Sequence, residues 1–186
     1  MSSEEALQSA EAKMQKAVDA LGRDLASVRT GRANPALVEH LRIDYHGVSM
    51  PLNQVASISV PEARLLVIQP WDKQALVSIE KAILKSDLGL NPASDGSMIR
   101  LAIPQLTQER REQLVKMMRR RTEEGRVAVR NARRDTMEGL RKLKDSKELS
   151  EDEQKRALNQ LQRITDKFIE EINSLSEKKE AELMEL

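Results

Sequence analysis

The 186-residue chain has a formal net charge of +1, no cysteine, and only three aromatic side chains, Tyr45, Trp71 and Phe168. The missing cysteine excludes disulfides, thiolate metal sites and a thiol nucleophile, and the scarce aromatics argue against a protein that stacks bases on aromatic platforms. No apolar run nears the roughly 20 residues of a membrane span, and the start Met-Ser-Ser-Glu-Glu lacks the features of a signal peptide, so a soluble, cytoplasmic protein is expected.

Ser2 with Glu5 fits a capping box, and Leu7, Ala10, Met14, Val18, Leu21, Leu25 and Val28 then recur at three- and four-residue steps, which predicts an amphipathic helix to about Arg29. Thr30-Gly31 ends it, and Asn34-Pro35 reinforces the break. From Ala33 to Ile103 the period changes over a length too great for a loop, so a separate small α/β unit is expected. Pro35 to Leu41 reads as one or two helical turns, and residues 42–45 and 48–52 flank His46-Gly47 as a hairpin. Residues 56–60 and 65–68 form two more strands around the turn Pro61-Glu62-Ala63. Asp72 caps a helix over 73–85, 93–96 is a loop, and 98–103 is a last strand.

Pro104 ends that strand and Thr107 caps a long helix reaching Lys144. Residues 107–144 hold thirteen basic residues against six acids, a local charge of +7, whereas residues 145–186 carry −5. At about 3.6 residues per turn, Leu114, Met118, Thr122, Gly125, Val129, Ala132, Thr136, Leu140 and Leu143 make one buried stripe. Arg119, Arg126, Arg130 and Arg133 follow steps of seven, four and three and form a second row beside it. With so few interleaved acids such a row repels itself unless a polyanion lies across it; the plainer reading is a solvated charged face. Ser150 and Glu153 form another capping box, and Ala157, Leu158, Leu161, Ile164, Phe168, Ile172 and Leu175 predict a third amphipathic helix toward Leu183. Three single-striped helices bury their stripes against one another as a bundle.

The division expected is a discontinuous three-helix bundle, residues 1–30 and 105–186, with an inserted α/β domain, 31–104. Glycine in one connection and proline in the other suggest a hinge, with a rigid elbow as the alternative. No chemistry stands out. His40 and His46 match no metal motif or triad, the glycines form no phosphate-cradling loop, and Asp44 or Glu39 beside His46 is a weak acid/base pairing. No active site, metal site or cofactor is expected.

Five segments together carry a resemblance: Val127-Ala-Val-Arg-Asn-Ala-Arg-Arg-Asp135, Arg29-Thr-Gly-Arg-Ala33, Ser86-Asp-Leu-Gly-Leu-Asn-Pro92, Leu106-Thr-Gln-Glu-Arg-Arg111 and Lys179-Glu-Ala-Glu-Leu-Met184. In this order, over essentially the whole chain, they resemble the ribosome recycling factor family of bacteria. The resemblance implies an L-shaped α+β fold and a cytoplasmic, monomeric, non-enzymatic translation factor. With elongation factor G and GTP such a factor splits the post-termination ribosome into subunits, so that messenger RNA and deacylated transfer RNA leave. It implies contact with large-subunit ribosomal RNA near the intersubunit bridge, for which Arg133, Arg130, Arg126, Arg119 and Arg134 are the candidates. Arg29, Thr30, Gly31, Arg32, Pro104 and Gln105 fall at the implied hinge, and Gln105 stands where relatives can carry a second proline. Two other classes compete. One is a helical adaptor whose basic helix binds an acidic protein or anionic surface; the other is a hydrolase in the α/β unit, which lacks a clustered nucleophile and base.

Overall fold

The computed structural model describes residues 1–185. In chain order the elements are helix α1 (Ser3–Ala26), strands β1 (Arg42–Tyr45), β2 (Val48–Pro51), β3 (Ala56–Glu62) and β4 (Leu65–Pro70), helix α2 (Leu76–Lys85), strands β5 (Pro92–Ser94) and β6 (Ile99–Ala102), and helices α3 (Gln108–Asp145) and α4 (Glu151–Met184). They divide into two compact units. One holds Met1–Leu25 and Gln113–Ala181; the other holds Ala26–Glu112 and residues 182–185. The expected breaks at 30/31 and 104/105 therefore both fall inside the second unit.

In the first unit, three helices bury one stripe each. Ala10, Met14, Leu21 and Leu25 of α1, Leu114, Met118, Val129 and Leu140 of α3, and Ala157, Leu161, Phe168 and Ile172 of α4 are all buried. Ala6 packs with Leu140 at one end, while Leu21 lies beside Gly125 nearer the other, so α1 and α3 run antiparallel. Threonines lie in these stripes at no polar cost, because Thr122 donates to the Met118 carbonyl at 2.9 Å and Thr165 to the Leu161 carbonyl at 2.8 Å, satisfying each hydroxyl inside its own helix. Each start is set by its cap: Ser2 and Glu5 exchange backbone-to-side-chain bonds, as do Ser150 and Glu153, and Thr107 accepts from the Arg110 amide. Helix α1 stops at Ala26, three residues before the expected Arg29, although Val28 stays buried.

The second unit has a two-stranded ribbon, β1-β2, and a four-stranded antiparallel sheet in the order β3-β4-β6-β5. The β1-β2 turn needs two consecutive positive φ angles, 51° at His46 and 80° at Gly47, the requirement of a two-residue hairpin that matches strand twist. On β4 and β6 every second residue, Leu66, Ile68, Ile99 and Leu101, is fully buried; their core also takes Ile43 of β1 and Ile79 and Ile83 of α2. Three details differ from the sequence expectation. Strand β3 continues through Pro61 to Glu62, with an irregular register between Ser59 and Glu62, because a bulge lets the strand carry a proline. The expected loop 93–96 contributes strand β5, which Pro92 starts at the sheet edge, where a missing amide costs no ladder bond. The helix over 73–85 opens with a 3-10 turn, Lys73–Ala75, and Asp72 caps it by accepting from the Gln74 amide at 2.9 Å.

Asp72 also ties the hairpin to that helix start. Tyr45 donates its hydroxyl to Asp72 Oδ2 at 2.6 Å, and His46 Nε2 lies 3.9 Å from the same oxygen. The Tyr45 hydrogen bond, then the Gln74 amide, holds the Asp72 carboxyl below its ordinary value, and the same bond pushes the Tyr45 phenol up. A carboxyl depressed in the folded state adds stability that is present above the ordinary carboxylate range and lost as pH falls through the lowered value. Tyr45→Phe is therefore expected to move the Asp72 titration upward in carbonyl NMR and to bring acid destabilisation of this unit to a higher pH.

Gly125 sits where all three long helices meet. A Cβ built there would lie 3.4 Å from Leu21 Cδ2 and 3.7 Å from Ile172 Cδ1, so a methyl group fits and a longer side chain does not. In urea unfolding followed by helical circular dichroism, Gly125→Ala should stabilise by up to about 1 kcal/mol through helix propensity, whereas Gly125→Leu should cost about 1–3 kcal/mol through overpacking.

Candidate nucleic-acid interface

The buried stripe of α3 fixes its rotation, and so fixes where its arginines emerge. Arg119, Arg126 and Arg133 are seven residues apart, just under two turns, and they come out along the seam with α4. On α4, Gln162, Asn173 and Glu180 lie eleven and seven residues apart, again close to whole turns. The two rows meet antiparallel, rung by rung. Arg119 Nη2 pairs with Glu180 Oε1 in a short ion pair. Arg126 donates Nε and Nη2 to Asn173 Oδ1 at 3.0 and 2.8 Å. Arg133 donates Nη1 to Gln162 Oε1 at 3.1 Å, and Gln162 is itself held by Asp166 at 2.8 Å.

A further carboxylate lies within the row. Glu123 accepts from Arg126 Nη1 through one oxygen and from Arg130 Nη1 through the other, both at 3.0 Å. Those two hydrogen bonds, that of Arg126 first, hold its carboxyl below the ordinary range and keep it charged. This corrects the expectation of a row that repels itself unless a polyanion lies across it: its four guanidiniums already face two carboxylates and two side-chain amides. The neutral rungs aim their arginines without cancelling charge, whereas the charged ones do both.

The arginines differ in what they have left to offer. A guanidinium carries five N–H donors. Arg126 commits three of its nitrogens and is less accessible than Arg130 or Arg119, at 28% side-chain exposure against 46% and 64%. Arg133 is half-buried, and its Nε is buried without a partner among the described residues. Arg134 is exposed and lines a groove with Met137, Arg141 and Leu158. In charge rather than in solvent exposure, Arg130, Arg133 and Arg134 thus form the open, more positive end of the surface, and Arg119 and Arg126, faced by Glu180 and Glu123, the shielded end. The α4 partners Gln162, Asn173 and Glu180 were absent from the sequence reading; their spacing of eleven and seven on a helix predicted to pack beside α3 was the signal available.

Elsewhere, the carboxylate beside His46 is that of Asp72, and Glu39 lies 3.4 Å from His40 instead. No group of three or more His, Asp or Glu side chains that could hold a metal occurs among the described residues, and no helix there is long and apolar enough to cross a membrane. The residues expected at the hinge all lie in the second unit. There Arg29 donates to the Leu88 and Pro104 carbonyls at 3.4 and 3.3 Å, the Thr30 hydroxyl accepts from the Arg32 amide at 3.2 Å, and Arg32 pairs with Glu185 at 2.7 Å.

The ribosome recycling factor family model matches residues 21–184. The ribosome-recycling factor of Syntrophomonas wolfei is 56% identical over 180 residues, covering 97% of each chain, and that of Heliobacterium modesticaldum is 57% identical over 176 residues, covering 95% of each. A solution structure of a ribosome recycling factor superposes with a TM-score of 0.84 at 47% identity, covering 99% of this chain and 98% of that one. The Thermus thermophilus factor, in models of it and Escherichia coli elongation factor G bound to the E. coli post-termination complex, gives a TM-score of 0.72 at 49% identity over the full length of both. Family match, near-complete coverage and shared fold agree: the chain belongs to the ribosome recycling factor family.

Proposed function

We propose that this protein recycles ribosomes: with elongation factor G and GTP it splits the post-termination ribosome into subunits, releasing messenger RNA and deacylated transfer RNA. The observation that carries this reading is identity of 56% over 97% of both chains with a ribosome-recycling factor. In this role it is a cytoplasmic factor that acts by binding, with GTP hydrolysis belonging to elongation factor G. Arg133, Arg130 and Arg134, with Arg119 and Arg126 behind them, face large-subunit ribosomal RNA, because guanidinium forks suit phosphate oxygens and the α3 surface holds the chain's excess of positive charge. The functional division is a bundle of residues 1–30 and 105–186 with a head of 31–104, swivelling at Arg29, Thr30, Gly31, Arg32, Pro104 and Gln105. Glycine in one connection and proline in the other support that hinge.

Light scattering on post-termination ribosomes tests the activity. Splitting should need this protein, elongation factor G and GTP together, and no loss of scattering with all three present would rule the role out. The same assay on protein cross-linked across the hinge segments should show splitting abolished; undiminished splitting would exclude the hinge.

Arg133→Ala addresses the surface. Its rung partner Gln162 is neutral, so the change strands no buried carboxylate. Affinity for large ribosomal subunits should fall roughly tenfold, the scale of one charge-assisted hydrogen bond, with helical circular dichroism unchanged. Equal affinity before and after would point instead to an acidic protein or anionic surface as the partner of α3.

A further inference from the structure

The rungs along the α3–α4 seam are of two kinds. Amide rungs at Arg126–Asn173 and Arg133–Gln162 already aim guanidiniums. Carboxylates add cancellation of charge, and they cluster at one end. A groove of about 510 Å³ there is lined by Arg119 and Arg126 together with Glu123, Glu177 and Glu180, three carboxylates against two guanidiniums. Glu123 is 52% exposed at its side chain and bridges Arg126 to Arg130, so it stands between the shielded and open ends. A phosphate arriving at Arg130 comes well within the roughly 8 Å screening length of this carboxylate and competes with it for the same guanidinium.

We propose that Glu123 and Glu180 are built-in competitors of RNA phosphate, counter-ions that lower the resting affinity of the arginine row and must yield their guanidiniums when the protein docks. The inference rests on the reading of this surface as the RNA-facing one, and it assigns these two residues the tuning of affinity rather than contact with RNA. The bound state exchanges carboxylate for phosphate at Arg130 and Arg119, and the carboxylates reclaim those guanidiniums as the protein leaves. Such a device favours a factor that must leave its site as readily as it enters.

The test is binding of the full-length protein and its Glu123→Gln and Glu180→Gln variants to large ribosomal subunits, measured by co-sedimentation over a series of potassium chloride concentrations. Glutamine keeps the shape and a hydrogen-bond acceptor and removes the charge. Each variant should bind about 2–5-fold more tightly, the range of an exposed ion pair, and Glu123→Gln should steepen the fall of log affinity with log salt by about one. Unchanged or weaker binding by both variants, with helical circular dichroism intact, overturns the proposal, since it would make the carboxylates mere supports. Arg133→Ala run alongside separates the two levels. Loss of affinity there with no gain in the glutamine variants refutes the counter-ion role alone; no effect in any of the three removes the RNA-facing surface and the inference with it.

Discussion

The antiparallel seam between α3 and α4 is the constraint on which the arginine surface depends. Thr122, Val129, Leu140, Phe168 and Ile172 are buried, and their burial sets the rotation of both helices about their own axes. Once rotation is set, arginines spaced by seven on α3 cannot avoid the side of α4, and Gln162, Asn173 and Glu180 are the side chains waiting there. A guanidinium on a long flexible stem is a poor recognition element in isolation, because ordering it costs rotamer entropy at the moment of binding. Held by a rung, it is already ordered. The hydrophobic core thus does more than hold the bundle; it aligns a polar ladder whose geometry belongs to neither helix alone.

Much of this was legible in the sequence, and the reason is periodicity. Three stripes of apolar residues at helical spacing named almost every core position of the bundle, and the side-chain caps at Ser2, Thr107 and Ser150 placed the helix starts, because both signals are local. The α/β unit was harder. Residues 93–96 read as loop because Pro92-Ala-Ser94 lacks alternation, and only the neighbour β6 gives β5 its strand geometry. From sequence alone strand β3 ends early because Pro61 reads as a turn, whereas in the fold an irregular register between Ser59 and Glu62 accommodates it. The carboxylate beside His46 was sought among residues close in sequence, Asp44 and Glu39. It is Asp72, twenty-six residues on, brought there by the packing of the hairpin against the start of α2.

The arginine row shows where single-helix reasoning stops. Charge counted along α3 gives an excess of +7 and suggests a surface held apart by its own repulsion. The partners that relieve the repulsion come partly from α4, whose segment carries the opposite excess, and partly from Glu123, which at spacings of three and seven reaches Arg126 and Arg130 together. One-dimensional counting sees Glu123 as one acid among six, whereas in the fold it is the acid that divides the row into an open end and a shielded end.

If α3 faces RNA as proposed, that division bears on how a protein of net charge +1 addresses a polyanion selectively. A uniformly basic bundle would adhere to any nucleic acid through counterion release, with little regard for shape. In the proposed role, positive charge along the seam is least balanced past Arg133 and Arg134, and is most balanced where Glu123, Glu177 and Glu180 lie beside Arg119 and Arg126. A partner that meets only the open end gains little, because exposed single contacts are weak. One that fits the length of the seam can displace the carboxylates in turn. On that reading, selectivity follows from requiring an extended, correctly shaped array of phosphates, which a ladder with amide rungs at one end and carboxylates at the other can measure and a flexible basic tail cannot.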